Sequence, residues 1–66
     1  MKIICNGEEM VAKEGETLEE FILGLQLNPA TVVVECDGRI VLRDEYTQIT
    51  LSEGVVLELI RFVGGG

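Results

Sequence analysis

The sequence predicts an α+β domain in which a mixed sheet of four to five strands packs on one helix. Three observations carry that expectation. Short apolar runs flank Asn6-Gly7 and Asp37-Gly38, one segment beginning at Thr17 has helical periodicity, and the run at residues 55–63 is apolar on both parities. Sixty-six residues leave room for a single small core, so every element has to face it.

Residues 2–13, KIICNGEEMVAK, hold two apolar runs about Asn6-Gly7. That dipeptide is a strong hairpin signal, because both central residues of a type I′ turn need positive φ. Strand, turn and strand follow, and Gly15 breaks the second strand. Thr17-Leu18-Glu19-Glu20 fits a capping box, in which the Thr hydroxyl and the Glu carboxylate each accept from the other residue's amide. Leu18, Phe21, Ile22 and Leu25 then fall on one helix face. The helix spans two to three turns, is weakened at Gly24, and is expected to stop at Asn28-Pro29.

Residues 31–42, TVVVECDGRIVL, read as a second hairpin turning at Asp37-Gly38, with β-branched Val32, Val33 and Val34 suited to a pleated sheet. Residues 43–54 carry the charges and turn formers of a connecting loop, pinned to the body by Tyr46, Ile49 and Leu51. The final run, VVLELIRFV, is interrupted only by Glu58 and Arg61. A strand apolar on both faces belongs in the middle of its sheet. With one helix to cover one face, the simplest assembly lays this strand beside the first. That is the β-grasp, or ubiquitin-like, architecture. Residues 1–63 are expected to form the domain, and residues 64–66 a flexible C-terminal glycine tail.

Composition narrows the function. Twelve acids against five bases give a net charge of −7, which argues against nucleic acid as a partner, since phosphates demand clustered Lys and Arg. It suits a soluble protein steered toward a basic partner. There is no His, and Cys5 and Cys36 form no C-x-x-C pair, so no zinc or iron–sulfur site is expected. Both thiols read as small apolar strand residues, with a disulfide between them as the second reading. Met1-Lys2-Ile3-Ile4 enters a strand pattern rather than a secretory signal. No stretch is long enough to span a membrane, and the expected location is cytoplasmic.

Catalytic side chains are not expected. The pairs Glu8/Glu9, Glu19/Glu20 and Asp44/Glu45 are neighbours in sequence on hairpins, helix faces or loops, not convergent groups. Gly64-Gly65-Gly66 lacks the following helix and the Lys of a phosphate-binding loop. The terminal carboxylate of Gly66 is left as the reactive group, ionised near neutrality, since a chain-terminal carboxyl ordinarily has a pKa of about 3.5. Such a group becomes an acyl donor only after activation, for instance by transfer of AMP from ATP. Gly64 and Gly65, lacking Cβ atoms, would thread a narrow partner channel. Three extended residues reach roughly 10 Å at about 3.3 Å each. On the last strand Val56, Ile60 and Phe62 share the parity opposite to Leu57 and Leu59. With Val63 they are the candidate partner-binding residues, either as an exposed patch beside the tail or covered by residues 43–54.

The chain resembles the sulfur-carrier family of thiamine thiazole biosynthesis, ThiS, over essentially its whole length. The matching residues are Asn6-Gly7-Glu8, Gly15-Glu16-Thr17-Leu18, Val32-Val33-Val34-Glu35, Asp37-Gly38, the Arg43 to Tyr46 segment, and Val63-Gly64-Gly65-Gly66. It departs at Leu42, where the family often has Pro, and at Val55, where Asp is common. The resemblance implies a β-grasp fold and a carrier that is not itself an enzyme. It implies adenylation of Gly66 by an E1-like adenylating enzyme using ATP and Mg, conversion to a thiocarboxylate by a persulfide sulfur donor, and delivery to thiazole synthase. Neither metal nor cofactor would be held by the carrier itself. Two other readings share the glycine ending: the small subunit of molybdopterin synthase, and a ubiquitin-like modifier joined to lysines through Gly66. A structural module with an inert tail is the third.

Overall fold

Two left-handed turns set the sheet. Asn6 and Gly7 have φ of 52° and 81°, and Asp37 and Gly38 have 50° and 85°, the paired positive values of a two-residue type I′ hairpin. They join β1 (Lys2–Cys5) to β2 (Glu8–Val11) and β3 (Val32–Cys36) to β4 (Arg39–Val41). The computed structural model describes residues 1–61. The expectations placed on Phe62, Val63, Gly64, Gly65 and Gly66 lie outside the described residues. β5 (Val56–Arg61) is the central strand of five, in the order β2-β1-β5-β3-β4. It runs parallel to β1 and antiparallel to β3, as a strand apolar on both parities should.

The helix α1 (Leu18–Gly24) opens with the expected capping box. Thr17 Oγ1 accepts from the Glu20 amide at 3.1 Å, and Glu20 Oε1 accepts from the Thr17 amide at 2.9 Å. Leu18, Phe21 and Ile22 are buried, and Leu25 packs against the core from the position just past the helix. The C-terminus differs from the expectation. The helix ends before Asn28-Pro29, at a left-handed Gln26 with φ of 64°. The Gln26 amide donates to Leu23 O at 2.9 Å and the Leu27 amide to Ile22 O at 3.2 Å, the two bonds of a Schellman motif. Leu27 then folds back onto the core. Asn28-Pro29 instead opens the next element, a 3-10 turn over Pro29–Thr31, with Asn28 Oδ1 accepting from the Ala30 amide at 2.9 Å.

Residues 43–54 are more ordered than a plain loop. They contain a second 3-10 turn, Arg43–Glu45, and an isolated bridge between Thr17 and Thr50. Their backbone is tied to the start of α1: the Leu51 amide donates to Glu16 O and the Leu18 amide to Ile49 O, both at 2.9 Å, and the Glu19 amide donates to Tyr46 O at 3.0 Å. Tyr46 is buried and its hydroxyl donates to Val32 O at 2.8 Å. The segment therefore packs on the helix side of the sheet.

Ile3, Cys5, Val32, Val34, Val41, Leu57 and Leu59 from the sheet meet Leu18, Phe21 and Ile22 from the helix, with Tyr46, Leu51 and Val55 closing the rim. Register excludes a disulfide. Cys5 and Cys36 are both partners of Leu57, from opposite sides, so two inter-strand spacings of about 4.8 Å separate them, too far for a bridged pair. Both thiols are free, and burial pushes both above their ordinary pKa, with Glu58 adding to the shift at Cys5 and Asp37 at Cys36. Among the described residues no helix is long and apolar enough to cross a membrane.

Candidate functional site

The side of the sheet away from α1 holds the candidate surface, and β5 forms its spine. Leu57 and Leu59 point inward at 0% and 8% exposure, while Val56 and Ile60 point outward at 43% and 50%. Val56 and Ile60 are thus open to solvent rather than covered. The segment that was expected as one possible cover, residues 43–54, is fastened to α1 and the inward-facing ends of the sheet.

Register assembles the rest of the face, because partners across strands project to the same side. Ile4 lies beside Val56 and Glu9 beside Ile4. Glu35 lies beside both Glu58 and Ile40, and Val33 lies beside Ile60. Val56, Ile60 and Ile40 are exposed apolar side chains, with Ile4 and Val33 half-buried between the strands. An acidic row, Glu58 and Glu35, crosses between them, and Glu9 extends the acidity toward β2. Asp37 pins one end, accepting from the Val56 amide at 3.0 Å through Oδ1 and donating its own amide to Val56 O at 2.8 Å.

Of the candidate residues, the structure thus brings Val56 and Ile60 to one face. Ile4, Val33 and Ile40 belong to the same face and were not singled out from the sequence. Their alternation within the two hairpins was the available signal, but only the pairing of both hairpins with β5 puts them together.

This face is open and mixed in character. It offers apolar area interleaved with carboxylates, which fits a partner presenting apolar side chains ringed by Lys or Arg. Among the described residues no group of three or more His, Cys, Asp or Glu converges as a metal site would require. Among the described residues, grooves lie elsewhere, beside α1 around Lys13, Glu16 and Gly24 and around Glu19, Pro29 and Arg43.

Comparison with known proteins adds three findings. The model of the ThiS family matches residues 2–66. Among curated proteins the chain is similar to a thiazole synthase of Magnetococcus marinus, 41% identical over 66 residues, covering all of this chain and 20% of that one. It is likewise similar to a thiazole synthase of Paramagnetospirillum magneticum, 35% identical with the same coverage. The chain therefore spans about a fifth of the length of these two relatives. It is also 31% identical over 62 residues to the sulfur carrier protein ThiS of Bacillus subtilis, covering 92% of this chain and 94% of that one. Among solved structures it superposes on the crystal structure of the thiamine biosynthesis protein ThiS from Geobacter metallireducens with a TM-score of 0.84 and 26% identity, both chains covered completely. The solution structure of a thiamine biosynthesis protein from the same organism gives 0.79 and 28%, covering all of this chain and 88% of that one.

Proposed function

As the chain belongs to the ThiS family, we propose that it is a sulfur carrier of thiamine biosynthesis whose reactive group is the carboxylate of Gly66. The observation that carries this reading is the family match running through residue 66, joined to similarity over nearly the whole length of a curated sulfur carrier. The β-grasp body and its open apolar–acidic face support it as the handle by which a partner holds the carrier.

The chemistry follows from what a carboxylate lacks. One oxygen attacks the α-phosphorus of ATP in the active site of an E1-like enzyme, with Mg²⁺ bound there, and pyrophosphate leaves. The resulting acyl adenylate is attacked by the terminal sulfur of a persulfide, and AMP leaves. A thiol reductant then cleaves the sulfur–sulfur bond and frees the thiocarboxylate. This chain contributes the carboxylate, the glycines Gly64 and Gly65 that admit it to a narrow channel, and a surface including Val56 and Ile60 that binds the enzyme. Phe62 and Val63, next to the glycines in sequence, are the further partner-binding candidates. No side chain of the chain acts as acid, base or nucleophile, so the protein is a recycled co-substrate rather than an enzyme.

Thiazole synthase is the proposed acceptor of the sulfur. Support comes from the two relatives named thiazole synthase, in each of which a fifth of the length aligns with this whole chain. Mixing the carrier with its activating enzyme and labelled ATP tests the first step. Pyrophosphate release is expected with the native chain and is lost when Gly65 is replaced by Trp. Release that persists unchanged in Gly65→Trp contradicts the threading role.

A further inference from the structure

β1 and β5 are paired over a short distance. Ile4↔Val56 and Cys5↔Leu57 are the register partners, after which β1 turns away at Asn6-Gly7. The Ile4 amide donates to Val55 O and the Asn6 amide to Leu57 O, both at 2.9 Å. Backbone groups alternate in direction along a strand, so residues 55, 57, 59 and 61 aim theirs at the β1 side. The next donor in that series is the Leu59 amide. In a continued ladder it would meet a backbone carbonyl, but the chain has already turned. Asn6 Oδ1 accepts the bond instead, at 2.8 Å and partly buried, between residues 53 apart in sequence.

Asn6 answers two demands at once. Its backbone sits at φ of 52°, a region in which Asn is among the few tolerated side chains, and its side-chain carbonyl replaces a rung of the sheet. No residue of β1 stands beside β5 past this point. Among the described residues Asn6 is therefore the last tie to β5 on that side, while on the other side β3 continues to Val32↔Arg61.

We propose that Asn6 is a positioning residue for carrier activation: its side-chain carbonyl extends the β1 ladder and fixes the angle at which β5 delivers the C-terminal segment relative to the docking face. The proposal rests on the carrier reading above. A partner has to hold Val56 and Ile60 and receive the terminus together. Without the Asn6 bond the β5 end is held by β3 alone, and a terminus delivered over a wider range of angles satisfies both in only part of its population, which weakens productive binding without slowing the chemistry once bound.

Two variants separate the roles of Asn6. Asn6→Gly keeps the left-handed turn and removes the acceptor, whereas Asn6→Asp keeps both. Amide hydrogen exchange at Leu59, taken as a ratio to that at Leu57 to remove any global effect, is expected to accelerate about 3- to 10-fold in Asn6→Gly and to stay near native in Asn6→Asp. With the activating enzyme, the KM for Asn6→Gly as co-substrate should rise about 3- to 10-fold, the same factor as the lost tie, with kcat unchanged and Asn6→Asp restoring KM. Faster exchange at Leu59 with an unchanged KM makes Asn6 purely structural and overturns the proposal, as does Asn6→Asp behaving like Asn6→Gly. If the native chain itself is never adenylated, the carrier reading fails and takes this proposal with it. That outcome is told apart by the inert native protein.

Discussion

Leu57 and Ile60 are three residues apart on one strand, and they meet opposite surroundings. Leu57 is fully enclosed between Cys5 and Cys36 under the helix. Ile60 is half exposed beside Val33, near the acidic row of Glu58 and Glu35. The same apolar chemistry thus serves two ends on β5. On the inner face, burial against α1 supplies the free energy that holds a 66-residue chain folded. On the outer face no described element covers the apolar groups, and their burial remains available for association.

The largest effect is expected for Leu57→Ala. Removing a fully buried leucine costs about 3 kcal/mol, a large share of the stability of so small a domain, and chemical denaturation will show the midpoint fall steeply. On the outer face, Ile60→Glu should leave the stability within about 0.5 kcal/mol of native. The same change should weaken binding to the activating enzyme about tenfold, in the range of a single interface anchor. Equal destabilisation by the two substitutions would abolish the distinction between the faces.

Smaller effects are expected for the buried polar and titratable groups. Tyr46→Phe removes the hydroxyl that donates to Val32 O and should cost about 1 kcal/mol in the same assay. Alkaline pH probes the same interior. Burial raises the pKa of Tyr46, Cys5 and Cys36 in the folded state, so the unfolded chain releases these protons first. Their contribution is intact through neutral pH. It declines as pH climbs past about 8.5, where unfolded thiols ionise, and is lost once the pH has passed the raised folded values. Denaturant midpoints that stay level from pH 7 to about 10.5, where an unfolded tyrosine is already ionising, would contradict that burial. The smallest expected effect is a gain. Gln26 occupies a left-handed helix cap, and Gln26→Gly should add roughly 0.5 kcal/mol by relieving it.

Local chemistry made most of this fold legible. Asn6-Gly7 and Asp37-Gly38 announce their turns through residue type, Thr17 and Glu20 announce the helix start, and the two-sided apolar run announces the central strand. The helix end was hidden because Gln is not a typical left-handed cap. Leu27 returning to the core determines that conformation, and it also frees Asn28-Pro29 to start a new turn. The candidate face was half legible. Parity separates Val56 and Ile60 from Leu57 and Leu59, but Ile4, Val33 and Ile40 join them only through pairings between distant strands. The bond from Leu59 to Asn6 is invisible for the same reason. The role given to Gly66 is legible through resemblance and family membership rather than through any packed side chain.

The most direct test of carrier function is the intact mass of the 66-residue chain after incubation with ATP, Mg²⁺, the activating enzyme, a persulfide donor and a thiol reductant. A sulfur carrier gains the mass difference between one sulfur and one oxygen, localised by fragmentation to Gly66 and dependent on ATP. A chain whose mass is unchanged, while the same mixture converts an established ThiS protein, would contradict that function.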